Sequence, residues 1–208
     1  MKLYFAPGTA AMISHWLLLE MDLSFDLVAV DLQAGEHKRP EYLALNPAGT
    51  VPTLWVDGQI MTESAAILLW LTEHEAGRKF SPSLGSPQRM EFLQHLVNLA
   101  NTLQPAFRRW FYPQEAAGEA AAAQTKVNAQ KLIESQWVLW NQRLEDRSYL
   151  LGEQISAIDF YLCTLMRWSR NMPKPATDWS ALAAFAARMK QRPSFRRLYE
   201  REGLSEWS

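Results

Sequence analysis

The spacing of apolar residues changes along the chain, and this change constrains the fold more than any other feature. In the first 78 residues, short alternating segments typical of strands take turns with segments of helical period, in the order β-α-β-α-β-β-α. Asp57-Gly58 between two of the strand segments is a strong hairpin signal. Beyond residue 87 only helical patterns follow. The sequence therefore predicts an α/β part followed by an all-α part.

A stretch rich in Pro, Gly and Ser separates the two patterns. It runs from Ser81 to Pro87, and such a composition is typical of a connection between domains. We therefore expect one domain over residues 1–78, a linker over 79–87 and a helical domain over 88–208. The helical domain is expected to begin with two long helices, at about 89–111 and 118–147.

Composition and charge exclude several classes of protein. The single cysteine, Cys163, cannot form an internal disulfide or the paired thiols of a dithiol oxidoreductase. The net charge of −1 gives no general attraction to nucleic acid. No export signal is visible, and no apolar run approaches the roughly 18 residues that a membrane span requires. We expect a soluble cytoplasmic protein without a membrane or nucleic-acid partner.

The segment from Gly49 to Leu54 contains a proline just before a predicted strand. Pro52 cannot donate a hydrogen bond to a sheet, and an X-Pro bond in a tight turn is a place where a cis peptide occurs. A cis Val51-Pro52 bond would leave the backbone of Val51 as a free edge, with which a peptide ligand could pair. A simple strand-entry proline explains the same residues.

Glu63-Ser64 precedes the next predicted helix. The amide groups and partial positive charge of a helix N-terminus suit a carboxylate, and the Ser64 hydroxyl is a further donor. Glu63 could bind an α-ammonium group, so the pair could recognise an amino-acid head group. Ser64 as a cap of its own helix is the alternative.

The turn from Ala6 to Ala11 leads into the first predicted helix. A thiolate placed there would be stabilised by the helix end, which lowers the pKa of a thiol. Thr9 carries the nearest hydroxyl that could donate to such a thiolate. It could equally be an ordinary N-cap.

In this order and spacing, these motifs resemble those of the cytosolic glutathione transferases, in particular the bacterial, beta-like branch. The resemblance covers the whole chain and rests on Met1 to Gly8, Leu45 to Pro52, Thr62 to Ser64, and Gly152 followed by Ser156 and Asp159. It implies an N-terminal thioredoxin-like domain that holds glutathione and an all-helical domain that holds a second substrate. It also implies a structural capping box at Ser156 and Asp159.

The resemblance assigns roles to particular residues. The backbone at Thr50, Val51 and Pro52, with a cis Val51-Pro52 bond, would bind the cysteinyl unit of glutathione, and Glu63 and Ser64 would bind its γ-glutamyl end. Lys38, in a basic trio at residues 37–39, would bind the glycyl carboxylate, unless it is only a solvated loop charge.

Two further predictions concern the second substrate and the assembly. Trp110 and Tyr112 could line a pocket for an apolar electrophile, although aromatic residues at helical spacing also form cores. The family implies a homodimer. The charge distribution fits this, because residues 1–78 hold 4 Lys+Arg and 10 Asp+Glu whereas the rest hold 17 and 12. The histidines show no metal-ligand spacing, so no metal is expected.

The chain departs from the beta-like pattern at two places. Ala10 and Gln104 stand where this branch usually carries a cysteine and a histidine. A mechanism based on that cysteine is therefore excluded, and stabilisation of the thiolate is predicted to come from Thr9 and the helix N-terminus.

Three functions fit these residues. The first is a detoxifying glutathione S-transferase, which adds the glutathione thiolate to small apolar electrophiles. The second is a non-catalytic binding or regulatory module of the stringent-starvation type, which the missing cysteine and histidine favour and the intact peptide-binding elements oppose. A glutathione-dependent isomerase or dehalogenase ranks last, since the first turn is not serine-rich.

Overall fold

The first part of the chain is built on a four-stranded sheet, as a computed structural model that describes residues 1–207 shows. The strand order is β2-β1-β3-β4; β1 pairs with β2 in parallel and with β3 antiparallel, and β3 pairs with β4 antiparallel. The strands are β1 (Lys2–Phe5), β2 (Asp26–Ala29), β3 (Thr53–Val56) and β4 (Gln59–Thr62).

The predicted hairpin between β3 and β4 is confirmed. Asp57 and Gly58 both have positive φ, 49° and 86°, as a two-residue turn of the type favoured in hairpins requires. The predicted order β-α-β-α-β-β-α is also found, with helices α1 (Ala11–Glu20), α2 (Pro40–Leu45) and α3 (Ser64–Glu73).

The two faces of this sheet are covered differently. Side chains alternate along β1, so Leu3 and Phe5 are buried on the face covered by α1, where Phe5 contacts the ring of His15. Tyr4 points to the other face and contacts Tyr42 of the short helix α2. The main core of this unit lies on the α1 face.

The second part of the chain is helical. Its α-helices, numbered along the chain, are α4 (Pro87–Asn98), α5 (Gln104–Phe111), α6 (Pro113–Ala117), α7 (Ala122–Leu144), α8 (Ala157–Trp168), α9 (Ser180–Lys190) and α10 (Pro193–Glu202). Short 3-10 segments lie at 119–121, 169–171 and 176–178 in this part, and at 36–38 and 75–80 in the first part of the chain.

The long helix predicted over 89–111 is interrupted. Leu99–Leu103 forms a π-helical segment between α4 and α5, in which the Gln104 amide bonds to the carbonyl of Leu99. Pro105 follows directly and has no N–H to continue the ordinary ladder. The helix predicted from 118 begins as an α-helix only at Ala122, after a 3-10 turn.

Helix α8 begins as predicted. Ser156 and Asp159 form a reciprocal capping box, and the Asp159 carboxylate also accepts a hydrogen bond of 2.8 Å from the amide of Leu150. The Asp159 side chain is fully buried, so these donors offset the cost of removing its charge from water.

The chain divides into two compact units. The first contains Met1–Ser81 together with the described residues from Lys190 onward, and the second is Pro82–Met189. Helix α10 therefore belongs to the same unit as the sheet. The bounds expected from the sequence, 1–78 and 88–208 around a linker, stay a prediction about domains.

Candidate functional site

Three segments singled out by the sequence meet at one end of the sheet. Tyr4 pairs with Thr53, and Thr53 pairs with Thr62. The residues that follow β1, precede β3 and follow β4 are therefore neighbours. These are the turn into α1, the Val51-Pro52 pair and Glu63-Ser64, which lie within one unit.

The turn into α1 offers backbone donors. The Thr9 hydroxyl donates to the carbonyl of Ala6 over 2.7 Å and accepts from the Ala11 amide over 3.3 Å. No hydrogen bond from the Ala10 amide is found within residues 1–207. Thr9 is thus a local cap, while the N–H of the half-buried Ala10 has no hydrogen-bond partner among these residues.

The segment before β3 presents a braced, unpaired backbone. The Val51-Pro52 bond is cis, as the resemblance implies. The carbonyl of Thr50 accepts hydrogen bonds from the Tyr42 hydroxyl at 2.7 Å and from the Asn46 amide at 2.8 Å. In the described part of the chain, neither the N–H nor the carbonyl of Val51 has a hydrogen-bond partner. The backbone of Val51 therefore has a free donor and a free acceptor just before β3.

Tyr42 acts here as a neutral donor. Burial raises the pKa of its phenol above the ordinary value, against the effect of hydrogen bonds from Thr53 and Asn46. The hydroxyl stays protonated over the physiological range and fixes the carbonyl that precedes Val51.

Glu63 and Ser64 lie where β4 passes into α3. Glu63 has φ of +69°, an uncommon conformation for a residue with a side chain, and this side chain is exposed. Ser64 is 4% exposed, and its hydroxyl is 3.4 Å from the carbonyl of Ala10. Backbone strain at an exposed acidic residue is typical of functional sites.

The Lys38 side chain reaches the same loop. Its ammonium group donates to the carbonyls of Gly49, at 3.0 Å, and Ala48, at 3.4 Å. Gly49 fits only without a side chain, since a Cβ there would lie 2.8 Å from the carbonyl oxygen of His37. Lys38 therefore anchors the loop that precedes Val51.

Trp110 and Tyr112 belong to the second unit. The Lys126 ammonium lies 4.5 Å from the ring centroid of Trp110, and the Arg108 guanidinium lies 5.2 Å from that of Tyr112. Tyr112 is 49% exposed, and Phe111 between them is 43% exposed. Phe111 and Tyr112 are therefore accessible, whereas Trp110 is half-buried.

Gln104, in the place of the family histidine, is held by a buried tyrosine. The Tyr161 hydroxyl donates a hydrogen bond to the Gln104 carbonyl oxygen. This bond orients the side-chain amide and leaves its N–H₂ group facing away from Tyr161.

A separate cavity lies on the opposite face of the sheet, beside α2. Its volume is about 490 Å³, and its lining contains none of the predicted site residues: Tyr4, Val28, Ala29, Val30, Glu36, Arg39, Glu41, Tyr42 and Leu45. The predicted site residues therefore lie outside this cavity.

Residues 1–207 contain neither a cluster of metal-binding side chains nor a membrane-spanning helix. No group of three or more His, Cys, Asp or Glu side chains in this range could hold a metal ion. No helix in it is long and apolar enough to span a membrane.

The fold and the site define a class: a thioredoxin-like sheet unit with an unpaired backbone segment before β3, joined in one chain to an all-helical unit. The family model of the glutathione S-transferase N-terminal domain matches residues 10–74, and that of the C-terminal domain matches residues 101–201. The chain belongs to the glutathione S-transferase family.

Individual proteins agree with this assignment. The chain is 30% identical to glutathione S-transferase GstA of Escherichia coli O157:H7, over 98% of this chain and all of that one. A bacterial beta class glutathione S-transferase of Sphingomonas chungbukensis has a similar structure, with TM-score 0.86, 28% identity and coverage of 99% and 100%. A sphingomonad glutathione S-transferase complexed with glutathione gives TM-score 0.86, 29% identity and the same coverage.

The comparisons confirm the predicted family, the predicted fold and a transferase enzyme. Glutathione is the co-substrate of this family, as expected from the sequence. The residue assignments remain predictions.

Sequence analysis missed three residues that support the site. Tyr42 and Asn46 brace the Thr50 carbonyl, and Glu202 contacts the turn into α1. Asn46 lies within the motif that ends at Pro52 and Tyr42 lies three residues before it, so a search for polar side chains able to satisfy the loop would have found them. Glu202 gives no local signal, because its partners are far away in sequence.

Proposed function

We propose that this chain binds glutathione at the end of its sheet and transfers the thiolate to a small apolar electrophile. The observation that carries the proposal is the meeting of three elements in one unit: an unpaired backbone at Val51, a helix N-terminus at Ser64 and an open amide at Ala10. Each matches a different group of the tripeptide.

The γ-glutamyl end would lie at the start of α3. The first-turn amides of this helix and the Ser64 hydroxyl suit its carboxylate, and the exposed Glu63 carboxylate suits its ammonium group. The cysteinyl unit would pair with the N–H and carbonyl of Val51, next to Thr50 and Pro52.

The glycyl carboxylate would lie near Lys38. The ammonium group of Lys38 has three donors, of which two are used by the carbonyls of Ala48 and Gly49. The remaining donor and the positive charge are available to a carboxylate. Lys38 would thus both hold the loop and bind the ligand.

The thiol would lie at the N-terminal end of α1. The Ala10 amide and the helix dipole stabilise a thiolate there. The Thr9 hydroxyl is the catalytic side chain that we propose. When glutathione is bound, this hydroxyl rotates so that it donates its hydrogen bond to the sulfur instead of to the carbonyl of Ala6. The thiolate then attacks the electrophilic carbon, a C–S bond forms, and a leaving group such as halide departs with the bonding electron pair.

The second substrate would be apolar. In the second unit, the exposed ring of Tyr112 and the half-buried ring of Trp110 can contact a small aromatic compound. Which electrophile is used naturally depends on these contacts.

We propose further that the protein is a cytoplasmic homodimer. Helix α4 exposes Met90, Leu93 and Val97 along one face, with exposed fractions of 79%, 37% and 53%. Apolar residues at this spacing on an exposed helix are typical of an interface between chains. Sedimentation of the wild type and of Val97→Glu tests this, and a wild-type monomer would refute it.

Calorimetric titration of glutathione, with the ultraviolet absorbance of the bound thiolate followed against pH, tests the proposed function. We expect saturable binding and a thiol pKa well below that of free glutathione. Ser64→Ala should weaken binding by about 10- to 100-fold, because a hydrogen bond to a charged group is lost. Ser24→Ala, at an exposed serine of the same unit, should leave binding unchanged.

Thr9→Ala and Thr9→Ser separate the hydroxyl from the backbone donors. If the hydroxyl stabilises the thiolate, the alanine variant raises the bound thiol pKa and the serine variant restores it. Equal pKa values would leave the backbone as the sole stabilising group. No glutathione binding by the wild type would favour the non-catalytic binding or regulatory module.

A further inference from the structure

The turn into α1 is held by a residue near the other end of the chain. The Glu202 carboxylate, on the last turn of α10, accepts a hydrogen bond of 2.9 Å from the amide of Gly8. Its other oxygen lies 2.8 Å from Nδ1 of His15 in α1. The two chain positions in the first contact are 194 residues apart.

This carboxylate is buried, which makes its partners important. The side chains of Glu202 and His15 are both 0% exposed. A buried carboxylate without donors is strongly unfavourable, so the amide of Gly8 and the imidazole of His15 offset its desolvation. Removal of one partner would leave the other unsatisfied.

The His15 ring supports Glu202. An ionised carboxylate can only accept, so Nδ1 carries a proton and donates it. The opposite nitrogen, Nε2, is buried and has no hydrogen-bond partner in the described structure. The rings of Phe5 and Phe25 lie edge-on to it, with centroids 5.8 and 5.6 Å from that of His15. His15 is therefore enclosed and serves to orient the carboxylate.

The contact falls on the turn that would stabilise the thiolate. Gly8 has φ of +72°, and its amide is fixed in direction by Glu202. Thr9 and Ala10 follow directly, so the direction of their donor groups depends on the peptide plane before them. A turn that loses this bond can rotate away from the arrangement that a ligand needs.

We propose that Glu202 is a positioning residue of the glutathione site, which sets the orientation of the turn from Gly8 to Ala10 without touching glutathione. The inference rests on the proposed function for its catalytic consequence. The contact itself is independent of any ligand.

The docking of α10 on α1 does not depend on Glu202 alone, and this provides a control. Arg197 donates to the carbonyl of Leu19 at 2.6 Å and to the Asp22 carboxylate at 2.9 Å. At the start of α10, the Ser194 hydroxyl accepts a hydrogen bond of 2.9 Å from the Trp16 indole. Arg197→Ala therefore weakens the same helix pair at a place remote from the turn.

Glu202→Gln is the main test. A glutamine can accept from Gly8 with its oxygen, but its N–H₂ group then faces the protonated Nδ1 of His15. Moving that proton to Nε2 would leave a buried N–H without an acceptor. The variant therefore cannot satisfy both partners.

Glutathione affinity, the pKa of the bound thiol and the urea midpoint are measured for the wild type, Glu202→Gln and Arg197→Ala. We expect Glu202→Gln to weaken glutathione binding about tenfold and to raise the thiol pKa. Arg197→Ala should change the midpoint but leave affinity within about twofold of the wild type. Equal effects of the two variants on affinity and thiol pKa, or no effect of Glu202→Gln, would overturn the proposal.

Two further measurements keep the outcome decisive. If Glu202→Gln does not fold, Glu202→Asp replaces it, since the shorter side chain keeps the charge and cannot reach both partners. Hydrogen exchange of the Gly8 amide in ligand-free protein should be slow in the wild type and faster in the variant. If the wild type binds no glutathione, the proposed function fails while this exchange result still decides whether Glu202 holds the turn.

Discussion

Gly49→Ala measures how closely the loop before Pro52 is packed. Gly49 has φ of +59°, and an added Cβ would lie 2.8 Å from both the His37 carbonyl oxygen and the Lys38 Nζ atom. Alanine in this left-handed conformation costs about 1–2 kcal/mol. The reduced freedom of the unfolded chain offsets about 0.4–1 kcal/mol of it.

The steric contact adds a second cost. The Lys38 side chain can move, but the His37 oxygen is backbone, so the loop or the 3-10 turn has to shift. Strain of this kind costs about 1–3 kcal/mol. We therefore expect Gly49→Ala to lower the free energy of unfolding by about 2–4 kcal/mol.

Gly35→Ala is the matched control. Gly35 has a similar φ of +69°, and no atom lies within 4 Å of the added Cβ. The free energy of unfolding of this variant should fall only by the conformational cost of alanine at positive φ, about 0.5–1 kcal/mol. Urea unfolding of both variants and the wild type gives the two free energies, and their difference isolates the contact.

Glutathione titration of the same two proteins connects packing with function. A shifted loop moves the Val51 backbone, so Gly49→Ala should weaken glutathione binding about tenfold or more, whereas Gly35→Ala should not. An equal loss of stability in the two variants would refute the reasoning, because the added contact would then have no cost.

Three other perturbations have defined outcomes. Asp159→Ala should lower the free energy of unfolding by about 3 kcal/mol or more in urea, because Ser156 and a buried amide lose their acceptor; a loss below about 1 kcal/mol would contradict this. Burial, aided by nearby arginine charge, lowers the pKa of His95 to about 4. The unfolded chain therefore binds more protons between pH 6.5 and 4, so acidification through this range should destabilise the fold by about 2 kcal/mol, and His95→Gln should lack that loss. Tyr42→Phe should weaken glutathione binding severalfold, because the Thr50 carbonyl loses a donor; unchanged calorimetric affinity would argue against bracing.

Local sequence signals predicted local structure well. Asp57-Gly58 was sufficient for the hairpin because a two-residue turn with positive φ at both positions admits few residue types. Ser156 and Asp159 predicted a helix start because the capping box involves only neighbours in sequence. The order of the motifs then led to the family.

Features that depend on distant contacts were not predictable in this way. The role of Lys38 in holding the Ala48 and Gly49 carbonyls needs the fold of the loop. The π-helical segment before Pro105 depends on which backbone hydrogen-bond pattern forms, the α-helical or the π-helical one. The spacing of apolar residues does not distinguish the two patterns. Glu202 looks like a surface residue in a polar helix, and only its position against α1 shows that it is buried.

The return of α10 to the first unit limits how such chains can exchange parts during evolution. The unit that contains the sheet is encoded in two separated stretches, Met1–Ser81 and the residues from Lys190 onward. Recombination within the connection near Pro82 would replace the helical unit and also remove the native partner of Gly8 and His15. Exchange at this point preserves the turn only if the incoming last helix carries a carboxylate at the matching position. A helical unit can be replaced without this condition only as an insert, with one junction near Pro82 and the other near Lys190.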